Sequence, residues 1–306
     1  ESHLARRNLC GVKSVLDPLT RLEAEARRPA GFLGLVVHAG VTKEGLGRIL
    51  EGMGGAPAEE VAQIEEFLAM ACPWIQGALL ALLTETDDRA VRKIVLGVLG
   101  AGGETPAAYL VPMLQDARWY VVRNAVQLAA RSHDPALLVY LEPLVRHSDV
   151  RVRRELIRTL DALGNGPTVR LLVEALSDED SSVRTLAAGS LGRHGGQEHE
   201  AVVRTQVEGR DFDIRPPEEV EAFLVCLAHL GKDRVVPVLD KMWRRRPFLT
   251  RPGPVRLAAL RALGAIPGPE ADALLKEAAK SGDAQVKSAA IRALGEAQTR
   301  GAGSRP

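Results

Sequence analysis

The sequence predicts an all-α chain folded as an α-solenoid, a right-handed superhelix of about seven helical hairpins behind an N-terminal capping module of mixed character. Three observations predict it. The first is a phrase of the form Val-Arg-x-x-Ala-x-x-x-Leu-Gly at 91–100, 183–192, 255–264 and 286–295 (with Val95 for the alanine in the first and Lys287 for the arginine in the last), and degraded copies begin at Val122, Val152 and Val220. Successive valines are 31, 30, 31, 37, 35 and 31 residues apart, a period that marks stacked two-helix units. The second is composition. With 46% apolar but only 4% aromatic residues, the core must be Leu, Val, Ile and Ala, which suits closely packed helices better than a sheet sandwich. The third is the spacing inside each phrase. The valine and the positions four and eight later, such as Val91, Val95 and Leu99 or Val286, Ala290 and Leu294, share one helical face and must meet the neighbouring unit.

In chain order, 4–16 and 18–27 read as helices, the second with Asp17 as N-cap and Pro18 at its first position. The apolar run 32–39 between Gly31 and Gly40 is a buried strand or a helix fragment. Thr42 caps a helix to about Met53, Gly54-Gly55-Ala56-Pro57 breaks the chain, and 58–72 forms another helix. The seven hairpins follow. Their A helices fall near 75–84, 106–115, 135–147, 167–176, 199–208, 233–246 and 269–280, and their B helices near 88–100, 118–130, 150–163, 182–191, 217–230, 254–264 and 283–298. Thr105 and Pro106 read as an N-cap and first-turn pair, and glycines after the last leucine of each phrase, as well as Gly164, read as left-handed helix ends. This divides the chain into a module over 1–74, repeats over 75–298 and a frayed tail over 299–306.

These residues resemble HEAT repeats, particularly the bacterial type also found in phycobilin lyases, over about 75–298. The resemblance implies that the turn acid and the base after the valine (Asp88 with Arg92, Asp149 with Arg153, Asp180 with Arg184, Asp283 with Lys287) belong to a structural ladder between units. Two copies depart from the pattern, with Glu221 after Val220 and Pro254 before Val255.

Function is read from what a solenoid displays. The two long steps place extra residues in A–B turns at 209–217 and 244–254, which should be neighbours on one edge. That edge gathers Phe212, Arg215, Trp243, Arg244, Arg245, Arg246, Phe248 and Arg251, a set able to hold an acidic or phosphorylated protein segment. The competing reading has the arginines solvated and the phenylalanines covering the helices beneath. A second candidate is the concave face of the B helices, where Arg154, Arg158, Arg261 and Arg292 recur two or six positions after the repeat valine, interrupted by Leu128 and Leu257.

The expected role is therefore a non-enzymatic scaffold or adaptor for a protein partner. A nucleic-acid-binding, glycosylase-like protein using Trp119 and the arginines, and an accessory subunit for chromophore or cofactor attachment, are the alternatives. The net charge of +1, from 40 basic and 39 acidic residues, disfavours nucleic acid. Cys10, Cys72 and Cys226 form no CxxC pair, which argues against a disulfide framework or zinc finger and for the cytoplasm. No apolar run approaching membrane-span length is apparent. His194, Glu198, His199 and Glu200 flank a flexible turn without helical ligand spacing, and His133-Asp134 stands alone, so no metal, no cofactor and no catalytic residue is expected.

Overall fold

The computed structural model describes residues 37, 41–132, 134–164, 166–244 and 253–303. The expected helices at 4–16 and 18–27 and, apart from the buried Val37, nearly all of the 32–39 run lie outside the described residues.

The described chain is helical. It comprises α1 (Lys43–Leu50), α2 (Ala58–Glu85), α3 (Arg89–Ala101), α4 (Ala107–Leu114), α5 (Trp119–Ala129), the single turn α6 (Leu138–Leu141), α7 (Val150–Leu163), α8 (Gly166–Ala175), α9 (Ser181–His194), α10 (Glu200–Val207), α11 (Pro217–Gly231), α12 (Val236–Arg244), α13 (Pro254–Ala265), α14 (Pro269–Ala278) and α15 (Ala284–Gly303). From the second half of α2 onward the described helices alternate A and B as the valine period requires, except that the third A element, expected over 135–147, is not a continuous helix. The described residues form an all-α repeat fold of the solenoid type. It divides into two compact units, Glu1–Pro143 and Leu144–Pro306.

In unit 1, α2 is one continuous helix where the sequence suggests a break at Pro73-Trp74. Pro73 lies on an exposed face, and Leu68, Ala71, Cys72, Ile75 and Leu79 are buried on both sides of it. Packing against α1, α3 and α4 thus outweighs the lost backbone hydrogen bond. The same continuity makes α2 long and apolar enough to cross a membrane by composition, against the sequence expectation. Its buried stripe of ten residues instead meets its neighbours as a core helix.

Pro143 has the opposite effect. The expected helix over 135–147 is a 3-10 turn (Pro135–Leu137), the single turn α6 and a second 3-10 turn (Glu142–Arg146). A proline ring there clashes with the carbonyl four residues back and removes a helical hydrogen bond, and Leu137, Leu141, Leu144 and Val145 are buried without restoring a continuous helix.

In unit 2 the B helices α7, α9, α11, α13 and α15 pack each against the next more extensively than the A helices do. A stack drawn closer on one side curves toward it, so the B row is the inner face of this unit. The buried stripes are those expected: Val152, Leu156 and Leu160; Val183, Ala187 and Leu191; Val255, Ala259 and Leu263.

Helix ends differ from expectation at several points. Gly164 has φ 55° and ends α7 as predicted. Gly100, Gly192, Gly264 and Gly295 instead lie inside their helices. Two of them permit close approach: a Cβ on Gly264 would stand 2.8 Å from Ala293 Cβ, and one on Gly192 would stand 3.2 Å from Cys226 Cα. Thr105 does not cap α4, because Pro106 occupies the cap position without a side-chain hydrogen bond. The last helix continues past 298 to Gly303.

Candidate functional site

The turn acids and repeat arginines do two different jobs. Each acid caps its own B helix. Asp88 accepts from Ala90 N at 2.7 Å, Asp149 from Arg151 N at 2.8 Å, Asp180 from Ser182 N at 3.0 Å and Asp283 from Gln285 N at 2.9 Å. Such caps satisfy amide groups that a helix start leaves open. The Ser182 hydroxyl also donates to Asp180, which holds that carboxyl below the usual carboxylate range.

The arginines tie repeats together. Arg153 donates backward to His147 O at 2.8 Å and forward to Asp178 at 2.8 and 3.0 Å, with its side chain 6% exposed. Arg184 repeats the geometry, donating to Asp178 O at 2.7 Å and to Glu219 at 2.6 and 2.7 Å. Glu219 is fully buried, and Arg215 donates to it at 3.1 Å. Arg256 donates to Trp243 O at 2.8 Å and lies 3.9 Å from Asp283. The ladder therefore continues past the two irregular copies. Glu219, which the sequence reading missed, replaces the acid of the preceding turn, and its position directly before Val220 was the available signal.

This geometry corrects most of the proposed turn edge. Phe212 is buried and packs edge-on against Phe223 at 6.2 Å. Arg215 is spent on Glu219 and Gln206, and it stacks over both rings. Trp243 is buried and donates to Asp240 at 2.9 Å, while Arg244 bridges Asp240 and Glu277 at 2.6 Å. Both aromatic groups are thus part of the core, Phe212 folded from its turn onto the helices beneath and Trp243 on the buried face of α12. Arg245, Arg246, Phe248 and Arg251 lie outside the described residues.

The inner face holds the second set. Arg154 and Arg158 stand on α7; Arg154 donates to Ser182 Oγ at 3.4 Å and Arg158 to Glu155 at 3.2 Å. Arg261 pairs with Glu221. Arg261 and Arg292 line one groove of about 370 Å³ between α13 and α15, with Leu257, Ala289, Ala293 and Glu296. Between these two basic ends the row exposes partly open Thr185, Leu186, Gly189, Ala222, Val225 and Leu257. The face is an apolar floor of small and aliphatic groups between two pairs of arginines.

Other candidates are structural. His194 shares Asp161 with Arg193, at 2.9 and 2.8 Å, and His199 lies 3.4 Å from Glu198. No group of three or more potential metal ligands occurs among the described residues. Trp119 packs edge-on against Tyr120 at 5.9 Å, and Arg92 and Arg118 flank the tyrosine ring. His133 lies outside the described residues, and Asp134 caps the following turn by accepting from Ala136 N at 2.9 Å.

Comparison with known proteins follows this geometry. A family model described as HEAT repeats matches residues 137–216, and one described as PBS lyase HEAT-like repeat matches residues 255–281. No curated protein matches the chain. Among solved structures, Escherichia coli YibA superposes with a TM-score of 0.53 at 15% identity, over 87% of this chain and 97% of that one. Human deoxyhypusine hydroxylase, solved with glycerol, gives 0.34 at 20% identity over 87% and 98%. The complex of CpcE and CpcF of phycocyanin lyase from Nostoc sp. PCC7120 gives 0.39 at 17% identity over 71% and 86%. The first likeness is one of fold, and the other two superpose too loosely to carry an argument about function. Matched repeats, capped B helices and an arginine ladder together show that this chain carries HEAT repeats over residues 137–216 and a repeat of the PBS-lyase type at 255–281.

Proposed function

We propose that the chain is a non-enzymatic, cytoplasmic HEAT-repeat scaffold that holds an extended segment of a protein partner along the inner helix face of unit 2. The observation that carries this reading is the row of Leu186, Ala222, Val225 and Leu257 left partly open between Arg154 and Arg158 at one end and Arg261 and Arg292 at the other. A binding core of apolar contacts with a charged rim is the usual anatomy of a protein interface, and the arginines suit a segment with acidic ends. Arg245, Arg246, Phe248 and Arg251, which follow α12 in sequence, are the proposed second contact.

Affinity capture compared between the wild type and an Ala222→Glu, Leu257→Glu variant tests the reading. Partners held by the wild type and lost by the variant, but kept by Val202→Glu on an outer helix, are the expected result. Duplex DNA binding that is strong at low salt and collapses at moderate salt would instead establish a phosphate-dominated ligand and overturn it.

A further inference from the structure

The B row of unit 2 ends on a face shaped for one more neighbour. Two glycines show which side of a B helix meets the repeat that follows. A Cβ on Gly192 would stand 3.2 Å from Cys226 Cα, and one on Gly264 would stand 2.8 Å from Ala293 Cβ. Both glycines lie nine positions after the repeat valine. Positions five and eight share that side, because helical rotation keeps all three within about 100° of one another.

Position five holds the buried Ile157, Ala188 and Leu260 and the partly open Val225, and position eight holds Leu160, Leu191, Ala228 and Leu263, all buried. On α15, which packs on α13 and α14, the same positions are uncovered. Ile291 is 53% exposed, Leu294 is partly open, and a Cβ on Gly295 would meet nothing within 4 Å. Lys287, at the ladder position of Arg153, Arg184 and Arg256, is exposed beside them.

The pattern on this face fits a second copy of itself. In a two-fold contact residue i of one copy meets residue j of the other, and j meets i. With two α15 helices antiparallel about Ile291, that residue meets its own copy, Leu294 meets Ser288 and Lys287 meets Gly295, because the members of each pair lie equally far to either side. Both unlike pairs set a longer side chain against a shorter one, as ridges into grooves require.

We propose that unit 2 self-associates through this face, α15 of one copy lying antiparallel against α15 of a second. The B row then continues across the two-fold axis. Contact along the 20 residues of α15, about 30 Å, makes a small interface, which places the dissociation constant at about 10–100 µM.

Sedimentation velocity on the full chain tests this. The weight-average mass should rise from that of one chain at about 1 µM toward that of two above about 100 µM. Ile291→Glu should weaken association at least about tenfold at unchanged helicity, because it sets two like charges together on the axis, and Val202→Glu should not. Ile291→Cys should give a disulfide-linked dimer under mild oxidation that neither the wild type nor Val202→Cys gives, since a residue on the axis meets its own copy. That cross-link decides the matter even where the glutamate variant misfolds. A single-chain mass at every concentration would overturn the proposal and leave a different protein as the occupant. Association indifferent to Ile291→Glu, or no added cross-link from Ile291→Cys, would overturn it as well, because the contact would then lie elsewhere.

Discussion

The outer helices of unit 2 are laced with charge, whereas those of unit 1 are bare of it. Arg170 and Glu174 on α8, Glu200 and Arg204 on α10, Asp240 and Arg244 on α12, and Lys276 and Glu277 on α14 have no counterpart over 67–84 or on α4. The ties between repeats differ in the same sense. Arg153 and Arg184 reach carboxylates contributed by the following repeat, while Arg92 bonds the backbone carbonyl of Thr86 and Arg118 bonds that of Thr84 and pairs with Asp116 of its own turn, both arginines sitting against Tyr120. Yet Val91, Val95 and Leu99 are as buried as Val183, Ala187 and Leu191. The apolar stripe sets the spacing of the stack in both units, and the polar layer above it is free to vary.

The largest test of that comparison is Glu219→Ala. It strands Arg184 and Arg215 in a buried setting and should cost unit 2 about 3–5 kcal/mol in urea unfolding. Arg92→Ala, which removes one bond to a carbonyl, should cost about 1 kcal/mol. Equal losses would show that the two units are held alike. Glycine gives a contrast of opposite sign. Gly264→Ala forces a Cβ to within 3.1 Å of Ala293 backbone and should destabilise by about 1–3 kcal/mol. A Cβ at Gly100 meets nothing within 4 Å, so Gly100→Ala should stabilise its helix by about 0.5–1 kcal/mol.

The smallest effect is one of pH. Asp149 is held below the usual carboxylate range by Arg151 and Asp180 by Ser182. At Asp161, burial acts upward but is outweighed by hydrogen bonds from Arg193 and Ser190. Their folded values lie below the unfolded 3.8. The stability they contribute is therefore complete above that value and is lost as pH falls through the folded ones. Asp180→Asn, which keeps an acceptor at the cap, should make the thermal midpoint of unit 2 less sensitive to acid between about pH 4 and 2. An unchanged acid slope would remove Asp180 from that account.

The helix pairs were legible because a valine every thirty-odd residues is a packing constraint that each repeat must meet. Prolines were not, since Pro73 and Pro143 look alike locally, both with buried apolar neighbours, yet one helix runs through its proline and the other breaks into 3-10 turns. The glycines were misread as helix ends because closeness between helices distant in sequence leaves no local mark. The inner-face arginines could be placed by counting from the valine, but the burial of Phe212 depends on how a loop folds back, which periodicity does not encode, and Trp243 belongs to the helix before its loop, on its buried face.

Burial of two thiols gives this architecture a built-in reporter. Cys72 lies sealed in unit 1 against Gly102, where a Cβ would stand 2.5 Å from its Sγ, and Cys226 lies in unit 2 with its thiol pushed up to about 12 by burial. Neither can react with an alkylating reagent until its surroundings open, since the thiolate is the reactive species. Pulse alkylation followed by peptide mass spectrometry would thus time the opening of each half separately, without a single introduced label.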